Sequence, residues 1–227
     1  MKGKLKHPAQ YSPQIVAAMI ERLDGVRGTI LDPFAGPGRS LHRFDGKGRT
    51  VIGYEIEQPW ADASPGYVKC VDSTKMPRRT SSVAAIVTSP DYGNRFSDHH
   101  DAKDQSRRRS YTHDIREQTG DRSYVLADNN SGNIAFGYAY QLLHRKVMAE
   151  CLRVLRPGAP MLLNTKDFYR GEEFVQVTLW HLTTCVSIGF EWRNATPIPT
   201  SGLRHGANRE LRVDFEWMLE LRKPEAP

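Results

Sequence analysis

The sequence predicts an α/β fold: a doubly wound, largely parallel seven-stranded sheet in a single domain spanning residues 1–227, with a long insertion after the fourth strand. Three observations carry that reading. Short apolar runs of strand length alternate with stretches of helical period. Two of those runs end in polar turns, Asp32-Pro33-Phe34-Ala35-Gly36-Pro37-Gly38 and Thr88-Ser89-Pro90-Asp91-Tyr92, of the kind that open α/β sheets place at the carboxyl edge where ligands bind. A chain of 227 residues can also bury a substantial core as one unit, and no Pro/Ser/Gly-rich linker divides it.

Each element follows from local pattern. Pro13 to Leu23 sets Ile15, Val16, Met19, Ile20 and Leu23 at helical spacing, with Ser12 as cap and Pro13 in the first turn. Thr29-Ile30-Leu31 is a short buried strand that runs into the glycine-rich turn, and a helical stretch follows from about Arg39 to Phe44. The second strand is Thr50 to Ile56, and the third is Tyr67 to Val71, ending at Asp72. Val83 to Val87 is the fourth. Residues 93–137 then show little apolar periodicity over a length far beyond an ordinary connection, which marks a functional insertion and a candidate target-recognition segment.

Helical pattern resumes with Tyr140, Leu143, Val147, Cys151 and Val154 and stops at Arg156-Pro157-Gly158. Met161 to Asn164 is the fifth strand. Glu172 to Ile188 reads as a helix with Phe174, Val175, Val177, Thr178 and Leu182 inward and Gly189 as its stop. Strands over Glu191–Thr196 and Val213–Leu221 close the fold around a polar loop. Trp180, Trp192 and Trp217 fall in apolar patterns and are expected in the core, whereas Trp60 borders a ligand pocket.

Composition narrows the partners. The formal charge is +6 and the sequence pI about 9.3, which favours an anionic partner. Cys70, Cys151 and Cys185 are widely spaced, with no CxxC pair, so neither a disulfide framework nor a zinc site is indicated and a reducing cytoplasm is expected. The basic start Met1 to Lys6 lacks a following apolar stretch, and no apolar run reaches membrane-spanning length. Asp98-His99-His100-Asp101 contains ordinary ligand types, but a polar loop facing phosphate or solvent is the expected role and no metal is expected.

Glycines 36 and 38 let the backbone turn tightly and approach a ligand, and this is not the dinucleotide GxGxxG pattern. A carboxylate after the second strand, Glu55 with neighbour Ile56, can accept both hydroxyls of a ribose. One after the third, Asp72 with neighbour Ser73, can accept an adenine amino proton. The turn after the fourth strand offers a hydroxyl, a carbonyl and a ring to a planar, amino-bearing group.

With those residues in place, the sequence resembles the class I S-adenosylmethionine-dependent methyltransferases, whose fold is Rossmann-like, and among them the DNA amino-methyltransferases. Asp32-Pro33-Phe34-Ala35-Gly36-Pro37-Gly38 matches their DPFAGxG turn, and Ser89-Pro90-Asp91-Tyr92 matches their [S/D/N]PPY turn with Asp91 for the second proline. His7-Pro8-Ala9-Gln10-Tyr11 is similar to the HPAxF/Y segment that closes over the methionine part of the cofactor. The resemblance implies S-adenosyl-L-methionine held by His7, Pro8, Tyr11, Asp32, Pro33, Phe34, Gly36, Gly38, Glu55, Ile56, Asp72 and Ser73. It implies Ser89, Pro90, Asp91 and Tyr92 as the catalytic turn acting on a base flipped out of DNA. Serine at the first position of that turn leans towards cytosine N4 in the family, ahead of adenine N6. A cognate restriction enzyme, or none, would accompany such an enzyme.

Asp91 is open between a solvated turn residue and a group binding the base or a neighbouring donor. The 93–137 segment carries seven Lys or Arg and seven Asp or Glu, so it is not a basic arm, although Arg95, Arg107 and Arg108 could face DNA. Arg204 and His205, in the loop between the last strands, form a second candidate DNA surface. Asn129 to Asn133 suits turns or base edges. Alternatives are methylation of a guanine amino group in RNA or of a protein glutamine, and a nucleic-acid-binding relative without turnover.

Overall fold

The computed structural model describes residues 11–64, 66–93, 111–200 and 213–225. Helix α1 (Pro13–Arg22) opens it, capped as the sequence predicts: the Ser12 hydroxyl accepts the Ile15 amide at 3.2 Å and Pro13 occupies the first turn. Strands β1 (Gly28–Asp32), β2 (Arg49–Glu55), β3 (Val68–Cys70), β4 (Ala85–Thr88) and β5 (Pro160–Thr165) pair in parallel in the order β3-β2-β1-β4-β5. Beyond β5 lie β9 (Phe215–Arg222) and then β8 (Glu191–Pro199), with β9 antiparallel to both neighbours. The sheet is therefore seven-stranded, mostly parallel and doubly wound.

Helices α2 (Gln58–Asp62), α3 (Tyr111–Thr119), α4 (Tyr138–Val154) and α5 (Val177–Ser187) are the other α-helices among the described residues. Both faces of the sheet are covered, which is why its strands read as continuous apolar runs. Alternate side chains serve opposite layers. Ile30, Ala85, Val87, Leu162 and Met218 pack with α1, and Leu31, Ile86, Met161, Leu163 and Leu219 pack with α4 and α5.

Three sequence expectations are corrected. Residues 172–175 are not helical: β6 (Phe168–Arg170) and β7 (Glu173–Val175) form an antiparallel hairpin, and α5 begins only at Val177. Gly171, at φ 63°, makes the turn, and the Tyr169 and Phe174 rings meet across it at 5.0 Å, so a cross-strand aromatic pair outweighs helical spacing. Phe174 is accordingly exposed rather than inward. The helical stretch expected from about Arg39 to Phe44 is a single 3₁₀ turn that begins only at Leu41 and ends at Phe44. Trp192 is 56% exposed and Trp180 and Trp217 are half-buried, because β8 is an edge strand and the outer faces of α5 and β9 are only partly covered; Trp60 is fully buried.

The insertion closes on itself. The Phe136 amide donates to the Gly93 carbonyl at 2.9 Å, and a Cβ on Gly93 would lie 2.6 Å from that same amide. Within it α3 is ordered around fully buried Ile115, which packs with Trp60 and Leu126.

Candidate active site

Strand order reverses between β1 and β4, and at the carboxyl ends of these strands a cavity of about 320 Å3 opens. The turn after β1 is organised by Asp32, which is fully buried. Its carboxylate accepts the Phe34 amide at 3.0 Å, the Thr88 hydroxyl at 3.0 Å and the Tyr11 hydroxyl at 2.9 Å. One side chain thus ties together the turn, the end of β4 and Tyr11 ahead of α1. Burial raises the Asp32 carboxyl to about 6 even though those donors pull it down. Gly38 has φ 65°, and a Cβ there would sit 2.5 Å from a Val68 methyl, so the turn lies against β3 more closely than any other residue allows.

A column of rings supports the turn from below. Phe34 stacks on His144 at 5.2 Å, and His144 stacks on Tyr140 at 3.8 Å. His144 Nδ1 lies 3.2 Å from His181 Nε2, and burial drives both imidazoles below their ordinary range, His181 to about 4. The Tyr140 hydroxyl then donates to the Asp91 carbonyl at 2.5 Å, joining the first turn to the one after β4.

The acids of β2 and β3 line the cavity. Glu55 Oε1 accepts the Glu57 amide at 2.8 Å, and burial raises its carboxyl to about 8, the Glu57 and Asp91 carboxylates adding to the effect. Asp72 Oδ1 caps the following 3₁₀ turn through the Thr74 amide at 2.8 Å. Ser73, buried, donates its hydroxyl to the Pro33 carbonyl at 2.7 Å, which ties the β3 edge to the glycine-rich turn.

A strap from the insertion crosses these acids. Three consecutive residues reach the turns that follow three strands: Asn129 donates to Asp72 Oδ2 at 2.8 Å, Asn130 to Glu57 Oε1 at 2.6 Å and Ser131 to Asp91 Oδ2 at 3.2 Å. Glu57 is the anchor. It is 2% exposed and also accepts the Tyr124 hydroxyl at 2.5 Å and the Ala127 amide at 2.9 Å. Asn130 makes its own turn through Oδ1, which accepts the Gly132 amide at 2.9 Å. Asp91 is therefore neither a bare turn residue nor a stray acid: it receives the strap.

At the far wall, Ser89 Oγ lies 3.0 Å from the Tyr92 hydroxyl, which donates to Glu216 Oε2 at 3.2 Å. Asn164, at the end of β5 and 1% exposed, holds the group together. Its Nδ2 lies 3.1 Å from Ser89 Oγ, 3.0 Å from Tyr92 and 2.6 Å from Glu216 Oε2. Turning the amide over would set Oδ1 against the Glu216 carboxylate, so this orientation is imposed. It leaves Oδ1 buried without a partner, which costs about 1–3 kcal/mol. Burial, and then Glu216, lifts the Tyr92 phenol well above its usual value, so the ring stays neutral.

The structure brings Tyr11, Asp32, Pro33, Phe34, Gly36, Gly38, Glu55, Ile56, Asp72, Ser73 and Ser89 to Tyr92 around one cavity. His7, Pro8, Arg95, Arg107, Arg108, Arg204 and His205 lie outside the described residues, as does Asp98 to Asp101. Among the described residues no group of His, Cys, Asp and Glu could hold a metal ion, and no helix is long and apolar enough to cross a membrane. All three cysteines are free. Sequence reasoning missed Asn164, Glu216 and Glu57. Asn164 had a signal, since a polar residue ending an apolar strand is what singled out Ser89; Glu216 sits mid-pattern in β9 and had none.

No protein-family model matches this sequence, and neither does any curated protein sequence. Solved structures do resemble it. A S-adenosylmethionine-dependent methyltransferase from Methanosarcina mazei is 14% identical, with a TM-score of 0.56 over 96% of this chain and 100% of that one. The Burkholderia thailandensis 1,6-didemethyltoxoflavin-N1-methyltransferase, with S-adenosylhomocysteine bound, is 12% identical, with a TM-score of 0.52 over 92% of this chain and 77% of that one. The [4+2]-cyclase SpnF is 14% identical, with a TM-score of 0.57 over 93% of this chain and 81% of that one. A cyclase in this company shows that the fold alone does not name the reaction. What the likeness and the strand order establish is the architecture: the chain has the Rossmann-like fold of class I methyltransferases.

Proposed function

We propose that this protein transfers a methyl group from S-adenosyl-L-methionine to an exocyclic base amino group in DNA, cytosine N4 ahead of adenine N6. The observation that carries the reading is the Ser89 hydroxyl at the end of β4, set on the wall of the same carboxylate-lined cavity as Glu55 and Asp72. The donor set fits the cofactor. Its ribose hydroxyls, amino groups and sulfonium are all donors or cations, and Asp32, Glu55 and Asp72 supply acceptor oxygens around them.

Glu55 would take the ribose, Asp72 the adenine amino group, and the Gly36 to Gly38 backbone the closest approach, with buried Trp60 and Ile56 as apolar walls. When bound, the cofactor supplies an electrophilic methyl group. The chain's own part is to make a poor nucleophile act. An amino lone pair is delocalised into its ring, and the Ser89 hydroxyl and Pro90 carbonyl, accepting the two amino protons, localise it. A base in duplex DNA has to leave the stack to reach them.

A second reading, a guanine amino group in RNA, gains support from Glu216: guanine presents a ring N–H beside its amino group, and a carboxylate near Ser89 accepts both. Mass spectrometry of nucleosides from DNA and RNA incubated with the protein and cofactor, alongside labelled-methyl transfer to protein, tests the proposal. N4-methylcytosine in DNA is the expected product. Label confined to RNA or protein would overturn the DNA reading.

A further inference from the structure

Ser89, Tyr92 and Glu216 form a continuous hydrogen-bonded chain that leads from the cavity wall to a carboxylate on a different strand. The links are 3.0 Å from Ser89 Oγ to the Tyr92 hydroxyl and 3.2 Å from that hydroxyl to Glu216 Oε2. The polarity of the chain is set at its far end. A carboxylate only accepts, so Tyr92 donates to Glu216, and Ser89 is left to donate to Tyr92. Asn164 Nδ2 lies within 3.1 Å of all three oxygens and, with two hydrogens and no acceptor capacity, is compatible with that direction. Ser89 Oγ then keeps one lone pair for a proton arriving from the cavity, the other being faced by Asn164.

We propose that Glu216 is the terminal proton acceptor of this relay and that Asn164 positions it. The proposal rests on the amino-methylation reading above. As the target nitrogen forms its bond to the methyl carbon, the carbon–sulfur bond breaks with its electron pair leaving on sulfur, and the nitrogen has to release one proton. That proton passes to Ser89 Oγ, the Ser89 proton to the Tyr92 oxygen, and the Tyr92 proton to Glu216 Oε2. Charge and atoms balance: one N–H bond is lost, one carboxyl O–H bond is gained, and both hydroxyls end neutral. Before the transfer, a chain that ends on an anion makes Ser89 Oγ a stronger acceptor than an isolated serine, which is what a delocalised amino group requires.

The surroundings of Glu216 suit an acceptor that starts charged. Lys166 Nζ, just after β5, lies 3.9 Å from its other oxygen, and the phenol of Tyr92 faces it from the β4 turn. On β8 its register partner is apolar Ile198. Asp91 acts on Tyr92 by charge, and Tyr92 in turn on Tyr11.

The test uses the full chain, S-adenosylmethionine, and the nucleic acid that the wild type is found to methylate on an amino group. Glu216→Gln keeps the shape and removes the proton acceptor. The expected result is a kcat at least tenfold lower, cofactor affinity by calorimetry within twofold of wild type, and loss of the low-pH limb of the kcat profile, in the range that general-base removal produces. Tyr92→Phe, which breaks the chain in the middle, should lower kcat similarly with cofactor affinity kept. More than half the wild-type kcat in Glu216→Gln, survival of the low-pH limb, or an equal loss of cofactor affinity would each overturn the relay. A wild-type enzyme that methylates no amino group would overturn the underlying reading, and the relay with it, which separates that failure from the relay's own.

Discussion

Removing the Glu57 carboxylate should detach the strap while leaving the sheet intact. Glu57 accepts three bonds from residues 124–130: the Tyr124 hydroxyl at 2.5 Å, the Ala127 amide at 2.9 Å and the Asn130 side chain at 2.6 Å. Bonds to a charged acceptor contribute about 1.5–3 kcal/mol each, though three on one group do not add. In Glu57→Ala, the Ala127 amide and the Asn130 side chain are left without their buried acceptor. We expect local opening of the strap to become easier by about 3 kcal/mol, the low end for this set. Since about 1.4 kcal/mol is tenfold, hydrogen exchange at the Ala127 amide should quicken by roughly a hundredfold. Amides of β1 and β4 should keep their protection. Glu57→Gln, which retains one acceptor oxygen, should fall between. Less than a threefold change at Ala127, or an equal loss of protection in β4, would refute the reasoning, the first by showing the bonds are weak and the second by making Glu57 part of the global core. The consequence for the site follows from sequence adjacency: the same strap carries Asn129 to Asp72 and Ser131 to Asp91.

Two further outcomes are expected. Gly38→Ala sets a Cβ 2.5 Å from Val68 at a φ of 65°, so it should cost about 1–3 kcal/mol of stability by thermal melting and weaken S-adenosylmethionine binding at least tenfold; wild-type affinity would count against the close approach of the turn. The His144 and His181 pair is held neutral, His181 at about 4 against about 6.5 unfolded, so its contribution, about 3 kcal/mol from His181, is present above pH 6.5 and lost as pH falls towards 4. Asp32 and Glu55, raised to about 6 and about 8, act in the opposite sense, gaining stability as pH falls. The informative quantity is therefore a difference: melting temperature should drop more steeply from pH 6.5 to 4 in the wild type than in a His144→Phe, His181→Leu double variant. Parallel curves would rule out the pair as an acid-sensitive element.

Most strands were legible because each is buried on both faces and flanked by turn residues, as Val83 to Val87 shows: β4 lies within one or two residues of that reading. The hairpin over Phe168–Val175 was not legible. Its apolar residues also fit a helix, and only the contact of Tyr169 with Phe174 across Gly171 decides between the two periods. Edge exposure of Trp192 was hidden for the same reason, since a sequence does not reveal that β9, last in the chain, inserts between β5 and β8 and leaves β8 at the edge.

The sequence by itself determined the strand order of chemistry: a glycine-rich turn after one strand, acids after the next two, and a Ser-Pro turn after the fourth, each a local pattern with a local physical cause. Tertiary structure alone decided who meets them. Asn164 and Glu216 come from strands 75 and 127 residues beyond Ser89 in the chain, and become its neighbours because β5 pairs with both β4 and β9. Asp91, unexplained as a replacement for proline, acquires its role from Ser131, 40 residues away. Such contacts depend on which strand edges pair and on where an insertion folds back, and these are settled by burial across the whole sheet rather than by any run of neighbouring residues.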